Sequence, residues 1–199
     1  MRSVPTRATA ALAAAALLLA ACGGGAKPKQ EGPGPPRETQ AIEETQVASR
    51  TVETTGLTPA SAFPLRVTVE PSESGELAVA FTLSEVGEAG PMWESSGWTA
   101  VVVASLLLGA DPRDYRFGIE PGGEIGDGPS AGALTTVAVL AALLGDDIRE
   151  DAAMTGAINP DGTIGPVGGL PNKIQAAAEQ GKTLVLAPAG QRFEVDFFT

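Results

Sequence analysis

The chain has 199 residues, with 24 acidic side chains against 13 basic ones and a formal net charge of −11. A length of this order is typical of one domain with an additional tail. The acidic balance argues against a nucleic-acid-binding surface, because phosphate binding needs clustered lysine and arginine side chains. We therefore expect no nucleic acid among the partners of this protein.

Histidine does not occur in the sequence, and Cys22 is the only cysteine. A Ser-His-Asp triad, a Cys-His dyad and a zinc site built from histidine or cysteine are therefore excluded. A single thiol also cannot form an internal disulfide. The base of any catalytic site must be an aspartate, glutamate, lysine or tyrosine, and we expect no metal and no cofactor.

Residues 1–21 have the pattern of a lipoprotein signal peptide. Arg2 and Arg7 provide a basic start, and residues 8–21 form an apolar run shorter than the roughly 20 residues of a membrane-spanning helix. Small residues precede Cys22 and glycines follow it, which resembles a bacterial lipobox. We predict an exported protein that is held by a lipid on Cys22 at the extracytoplasmic face of a bacterial membrane, at the cell surface or in the periplasm. An uncleaved anchor with an incidental cysteine is the alternative.

The segment that follows the predicted signal peptide has a different composition. Residues 22–63 are rich in Gly, Pro, Glu and Thr and contain almost no large apolar side chains. Such a segment buries too little surface to fold, so we predict a flexible tether that extends away from the membrane. The folded domain is predicted to span residues 64–199.

Strands and helices alternate through this predicted domain, which indicates an α+β or α/β fold. Alternating apolar and polar residues predict strands at 65–69, 77–81 and 115–119. Further strands are predicted at 152–158 and 183–187, the last of them buried. Apolar runs that are followed by glycine predict helices at 98–108 and 130–144, the first with Ser95 or Ser96 as its cap. A third helix is predicted at 170–180, where Gly181 ends it. Residues 159–162 predict a tight turn.

Ser130 stands where a glycine-rich loop, residues 121–129, enters a wholly apolar predicted helix. Glycines allow a substrate backbone to approach closely, and free N–H groups at a helix start can stabilise an oxyanion. These are features of a nucleophile site. An ordinary N-cap serine and an anion-binding loop are the alternatives that this pattern leaves open.

Lys173 lies on the apolar face of a predicted helix, where Leu170, Ile174 and Ala177 follow helical spacing. A lysine on a buried face is costly without a partner or a role. Burial lowers the pKa of a lysine toward neutrality, as a general base requires. A lysine that extends its ammonium group to solvent from the first turn of the helix is the alternative.

Three segments in register resemble the proteolytic domain of Lon proteases. They are Gly-Asp-Gly-Pro-Ser-Ala-Gly at 126–132, Met-Thr-Gly at 154–156, and Gly-Gly-Leu at 168–170 with Lys173 shortly after. The resemblance extends over about residues 93–188. It implies an α+β fold with small mixed sheets and buried helices. Family domains of this kind assemble as hexameric rings, which implies a homo-oligomer.

The resemblance also implies the chemistry of the site. Ser130 would be the nucleophile and Lys173 its general base, in a serine–lysine dyad that hydrolyses peptide bonds. Thr155 would hydrogen-bond the lysine amine. Asp127, Gly128 and Pro129 would be supporting residues that shape the loop, with Asp127 also able to shield the site when no substrate is bound.

Two features depart from the family pattern. Lon proteases carry an ATPase module, whereas this sequence has no Gly-x-x-x-x-Gly-Lys-Ser/Thr segment, so we expect ATP-independent hydrolysis of exported peptides or unfolded proteins. Family domains also continue past the strand that matches 183–187 with a further strand and a helix. The apolar residues near the end of this chain favour an incomplete sequence over a trimmed fold.

Three classes of function are therefore weighed. A serine endopeptidase is the leading prediction. A non-catalytic binding or scaffold lipoprotein with a Lon-like fold is the alternative, and the retention of Ser130, Lys173 and Thr155 argues against it. Another hydrolase, such as an esterase or a glycosidase with paired carboxylates, is the third, but no acidic pair stands out on an apolar face.

Overall fold

The computed structural model describes residues 48–82, 90–123 and 125–191. The predicted signal peptide, Cys22, the tether up to residue 47 and the last residues of the chain lie outside the described residues. None of the helices within these ranges has the length and apolarity that a membrane crossing requires.

The described residues form eight strands and three α-helices. The strands are β1 (Arg50–Leu57), β2 (Ala62–Pro71), β3 (Ala78–Phe81), β4 (Tyr115–Pro121), β5 (Ala152–Met154), β6 (Ala157–Ile158), β7 (Ile164–Gly165) and β8 (Leu184–Leu186). The helices are α1 (Pro91–Leu108), α2 (Gly132–Leu144) and α3 (Leu170–Glu179), and short 3₁₀ turns at Pro112–Asp114 and Pro129–Ala131 precede β4 and α2.

The strands form one larger sheet and two small ones. The four-stranded sheet has the order β1-β2-β4-β3, in which β3 and β4 are parallel and the other pairs are antiparallel. Helix α1 lies between β3 and β4 in the chain and so provides the crossover that parallel strands need. Strands β5 and β8 form a parallel pair, and β6 and β7 form an antiparallel pair. The predicted α+β fold with small mixed sheets is confirmed.

The core lies between the larger sheet and helices α1 and α2. Leu65, Val67 and Val69 on β2 are fully buried, as are Phe117 and Ile119 on β4. Each of these strands alternates buried residues with more exposed ones, because α1 and α2 cover one face of the sheet. The alternation that predicted the strands thus also marks the face on which the core forms.

The predicted boundary between tether and domain, residue 64, is wrong. Residues 50–57 form β1, which pairs with β2 along its whole length. The face of β1 that lies on the core carries Val52, Thr54 and Gly56, and Leu57 is buried on the opposite face at the end of the strand. Thr and Val fit a pleated, half-buried strand, but a face with so few large apolar side chains does not stand out in a sequence that is rich in Thr and Glu.

Helix α1 begins at Pro91, earlier than the predicted helix at 98–108. Neither Ser95 nor Ser96 caps it. The carboxylate of Asp127 accepts hydrogen bonds from the first backbone N–H groups of the helix. A cap that comes from a distant loop leaves no local pattern in the sequence, which explains the wrong start.

The predicted helix ends are confirmed at Gly109 and Gly145, which have left-handed φ angles of 68° and 78°. The predicted strand at 152–158 is interrupted, because β5 and β6 are separate short strands. The predicted burial of the last strand is wrong. Leu184 and Leu186 of β8 are 38% and 44% exposed, since among the described residues β8 pairs with β5 alone.

Candidate active site

Ser130 lies in the 3₁₀ turn that leads into α2, and its side chain is half-buried. The Ser130 carbonyl oxygen accepts hydrogen bonds from Gly156 N at 2.8 Å and from Thr155 Oγ1 at 3.1 Å. Ala133 N in turn donates to the Gly156 carbonyl at 3.0 Å. These three bonds attach the turn that carries the serine to the segment between β5 and β6.

Two glycines allow this segment and the start of α2 to approach so closely. A Cβ atom on Gly132 would lie 2.5 Å from Ser96 Oγ and 2.7 Å from Ile158 Cγ2. A Cβ atom on Gly156 would lie 2.5 Å from Ile164 Cγ2. Both positions therefore require glycine because of the packing around them.

Lys173 lies in the first turn of α3 and is only 2% exposed. Its backbone N–H donates to the Gly169 carbonyl at 3.0 Å, and Gly169 itself has a left-handed φ of 67°. Lys173 Nζ donates a hydrogen bond to Thr155 Oγ1 at 3.2 Å, and Thr155 is completely buried. The lysine thus points into the protein rather than to solvent.

The buried face of α3 differs in one residue from the predicted one. Leu170, Lys173 and Ala177 are buried as expected, but Ile174 is 45% exposed and Ala176 is buried in its place. Lys173 lies near the centre of the face, with Ile174 at its edge. The packing of α3 thus directs Lys173 toward Thr155 and leaves Ile174 partly exposed.

The Thr155 hydroxyl connects the two candidate catalytic residues. A hydroxyl has one proton to donate, and this proton goes to the Ser130 carbonyl, so Thr155 Oγ1 acts as the acceptor toward Lys173 Nζ. A neutral amine can donate this bond and still offer a lone pair to a proton. The arrangement is therefore compatible with Lys173 in the form that a general base needs.

The loop before Ser130 is attached to α1. Asp127 Oδ1 accepts hydrogen bonds from Met92 N and Trp93 N, each at 3.0 Å. Ser96 Oγ donates to the Pro129 carbonyl at 3.3 Å. In this structure Asp127 and Pro129 hold the loop on the N-terminal end of α1. The sequence analysis predicted Ser96 as a possible helix cap and did not predict its contact with the Pro129 carbonyl.

Gly126 and Gly128 leave space beside the serine. Apart from the adjacent residues, no atom of the described part of the chain would lie within 4 Å of a Cβ atom at either position. Gly128 has a φ of 169°, which is extended backbone that any residue can adopt. These glycines are therefore not required by the backbone, and their lack of a side chain keeps the approach to Ser130 open.

A pocket of about 110 Å³ opens next to Ser130. Its apolar walls come from Leu57, Phe63, Trp93 and Ile125, and the loop from Gly126 to Gly128 lines another side. Among the described residues there is no group of three or more Asp, Glu, His or Cys side chains that could hold a metal ion.

Known proteins with similar sequences are Lon proteases. Residues 114–197 match the family model of the Lon protease (S16) C-terminal proteolytic domain. The Lon protease of Methylocella silvestris is 42% identical over 94 residues, which cover 45% of this chain and 12% of that protein. Lon protease 1 of Sorangium cellulosum is 35% identical over 118 residues, or 55% of this chain and 14% of that protein. The Lon protease of Escherichia coli K12 is 36% identical over 121 residues, or 57% of this chain and 15% of that protein.

These matches confirm the predicted resemblance to the Lon proteolytic domain and support a serine peptidase. The chain covers only 12 to 15% of the length of these relatives. Ser130, Thr155 and Lys173 all fall within the matched residues 114–197.

Proposed function

We propose that this protein is a serine endopeptidase in which Ser130 is the nucleophile and Lys173 the general base. The observation that carries the proposal is the buried hydrogen-bonded series from Lys173 Nζ through Thr155 Oγ1 to the Ser130 carbonyl. It supports a dyad because the chain contains no histidine that could serve as the base.

Hydrolysis would proceed by acyl transfer. Ser130 Oγ attacks the carbonyl carbon of the scissile peptide bond while neutral Lys173 accepts the hydroxyl proton. The tetrahedral intermediate collapses as the C–N bond breaks, and Lys173 gives its proton to the leaving amine. Lys173 then takes a proton from water as the water attacks the acyl ester. The second tetrahedral intermediate collapses as the bond between the acyl carbon and Ser130 Oγ breaks, Lys173 returns its proton to Oγ, and the carboxylic acid product leaves.

Burial explains why a lysine can act as the base. Removing an ammonium group from water disfavours its charged form, so the burial of Lys173 favours the neutral amine that a general base requires. The neutral hydroxyl of Thr155 orients the amine without adding a negative charge that would stabilise the ammonium form. Thr155 is therefore proposed as a positioning residue for Lys173.

The loop and the start of α2 would stabilise the oxyanion. Backbone N–H groups at a helix start carry partial positive charge and can receive a developing negative oxygen. Asp127 and Pro129 fix this loop on α1, which keeps those groups in place before substrate binds. Gly128 leaves the room that a substrate backbone needs.

The proposed setting is an exported, lipid-anchored protein that works without ATP. The signal-peptide pattern at residues 1–21 and the lipobox-like Cys22 support anchoring, and the lack of a phosphate-binding loop motif in the sequence supports independence from nucleotide. The proposed substrates in this setting are peptides and unfolded segments of exported proteins. A homo-oligomer, hexameric by resemblance, is part of the same proposal.

The decisive experiment is peptide hydrolysis by the full chain without nucleotide, compared with Ser130→Ala and Lys173→Met. We expect cleavage by the native protein and background rates for both variants. Equal rates in all three proteins would contradict the dyad. A native protein that binds unfolded polypeptide but cleaves nothing would favour the alternative, a non-catalytic binding or scaffold lipoprotein.

A further inference from the structure

The pocket beside Ser130 has features of a site for a substrate side chain. Its lining includes four large apolar side chains that are themselves almost fully buried, with exposed fractions of 3 to 6%. They are Leu57, Phe63, Trp93 and Ile125. An apolar pocket with the candidate nucleophile in its lining is the kind of cleft in which a substrate is held during reaction.

Two aromatic rings make one wall of the pocket rigid. Phe63 and Trp93 pack edge to face, with their ring centroids 6.4 Å apart and an interplanar angle of 66°. The Phe63 ring lies against the backbone of Gly56, where a Cβ atom would come within 2.3 Å of Phe63 Cζ. Trp93 N is bonded to Asp127 Oδ1. Neither ring can therefore move aside easily to admit a larger group.

The size of the pocket limits what it can hold. Its volume is about 110 Å³, whereas a dry apolar cavity that binds benzene is about 150 Å³. An aliphatic side chain of the size of valine or leucine fits such a space better than a phenyl ring does. Asp127 also lines the pocket and adds a negative charge, which disfavours an acidic side chain.

We propose that this pocket receives the side chain of the substrate residue whose carbonyl Ser130 attacks, and that Trp93 sets its size limit. Peptides with a small or medium aliphatic residue at that position are cleaved, and those with an aromatic or acidic residue are cleaved poorly. This inference rests on the proposed peptidase function.

A peptide series tests the size limit on the native full chain. The peptides differ only at the residue before the cleaved bond, which is Ala, Val, Leu, Phe or Asp. We expect kcat/KM for the best aliphatic peptide to exceed that for the Phe peptide by at least tenfold, in line with the roughly 10- to 200-fold that pocket size can discriminate. Ser130→Ala provides the background rate for each peptide.

The outcomes separate the two proposals. If the Phe peptide is cleaved as well as the Leu peptide and Ser130→Ala abolishes both rates, the size limit is wrong and the peptidase function stands. If no peptide in the series is cleaved above the Ser130→Ala background, while unrelated unfolded proteins are cleaved, the pocket proposal fails alone. If nothing is cleaved at all, the proposed function itself is overturned.

Substitution of Trp93 tests its role directly, and Trp98 offers a matched control. Trp98 is 39% exposed and does not line the pocket. Trp93→Leu should raise the ratio of Phe to Leu cleavage at least tenfold, whereas Trp98→Leu should leave this ratio unchanged. Because Trp93 is buried, its variant must show a cooperative melt, and Ile125→Ala on another wall serves as the second enlarging variant. An unchanged ratio of Phe to Leu cleavage in a folded Trp93→Leu protein would refute the size limit assigned to Trp93. An unchanged ratio in a folded Ile125→Ala protein would refute the assignment of this pocket to the substrate side chain.

Discussion

Thr155 and Lys173 are joined by a 3.2 Å hydrogen bond between two side chains that have almost no contact with solvent. The bond connects the segment between β5 and β6 to the first turn of α3. Because Thr155 also donates to the Ser130 carbonyl, the position of the amine depends on the same segment that holds the serine turn. This relationship leads to the first prediction.

Thr155→Val should lower peptide hydrolysis by roughly a hundredfold, because a misplaced catalytic group costs about that much in rate. The variant keeps the shape of the side chain but removes the acceptor of Lys173 and one donor to Ser130. We also expect a loss of about 1–3 kcal/mol in the free energy of unfolding, since buried polar groups lose a partner. Thr155→Ser is the matched control and should retain most of the hydrolysis rate and most of the free energy of unfolding. Equal kcat values for the Val and Ser variants would contradict the positioning role.

Lys173→Met should abolish hydrolysis and leave the protein as stable as the native chain or more stable. A buried amine is costly, and an apolar side chain of similar length removes that cost while Thr155 still donates to Ser130. Denaturant unfolding measures the stability. Lys173→Arg should be equally inactive, because a guanidinium stays protonated and cannot accept the serine proton. A clear loss of stability in Lys173→Met would indicate a structural role instead.

Much of the domain follows from local sequence patterns, and the exceptions have physical causes. The helix ends at Gly109 and Gly145 were predictable because a left-handed residue after a helix favours glycine. The buried strands β2 and β4 were predictable from their alternation. Strand β1 was missed because its core face carries few large apolar side chains.

In the candidate site, too, local sequence patterns predicted some features, and others depend on how distant segments pack. The loop, the serine and the lysine are local motifs and were predicted as candidates together with Thr155. The contacts of Asp127 with α1 and of Ser96 with the Pro129 carbonyl join residues more than 30 positions apart. Such contacts depend on how α1 and the loop pack, so no local pattern indicates them. The exposure of Ile174 likewise reflects how α3 packs and not its own periodicity.

Asp127→Ala should destabilise the protein by about 0.5–2 kcal/mol, the usual cost of losing a cap at a helix N-terminus. The Asp127 carboxylate accepts from Met92 N and Trp93 N, and both donors lose this partner in the variant. Asp127→Asn keeps an acceptor oxygen and should cost less, through the lost charge alone. Thermal melts of both variants test whether Asp127→Ala loses more stability than Asp127→Asn. If Asn is as damaging as Ala, the hydrogen bonds are not the stabilising feature.

Gly132→Ala and Gly128→Ala form a pair of matched substitutions with opposite expectations. A methyl group on Gly132 would clash with Ser96 and Ile158, so we expect a loss of about 1–3 kcal/mol in stability. Apart from its chain neighbours, a methyl group on Gly128 meets no atom of the described residues and should leave the melting temperature nearly unchanged. It should still lower kcat/KM, because it occupies the approach to Ser130. Native activity in Gly128→Ala would show that substrate does not pass this side of the loop.

We expect the protein to lose stability in acid as Asp111 becomes protonated. Hydrogen bonds from the Arg113 side chain and backbone lower the pKa of Asp111 from 3.8 to about 2. A folded-state pKa below the unfolded value means that the stabilisation is present above about pH 4 and is lost as the pH falls toward 2. The melting temperatures of the native protein and of Asp111→Asn should therefore become more similar as the pH falls from about 4 toward 2. A difference that stays constant from pH 5 to pH 2 would contradict the assignment.

The central claim is that Ser130 is a nucleophile activated by Lys173, and covalent labelling tests it most directly. The full chain is treated with a serine-reactive phosphonofluoridate, and the adduct is located by mass spectrometry of the digested protein. We predict one adduct on Ser130, none in Ser130→Ala, and a labelling rate at least a hundredfold lower in Lys173→Met, consistent with the contribution of a general base. Labelling of Ser130 at the same rate in Lys173→Met, or labelling at another residue only, would contradict the claim.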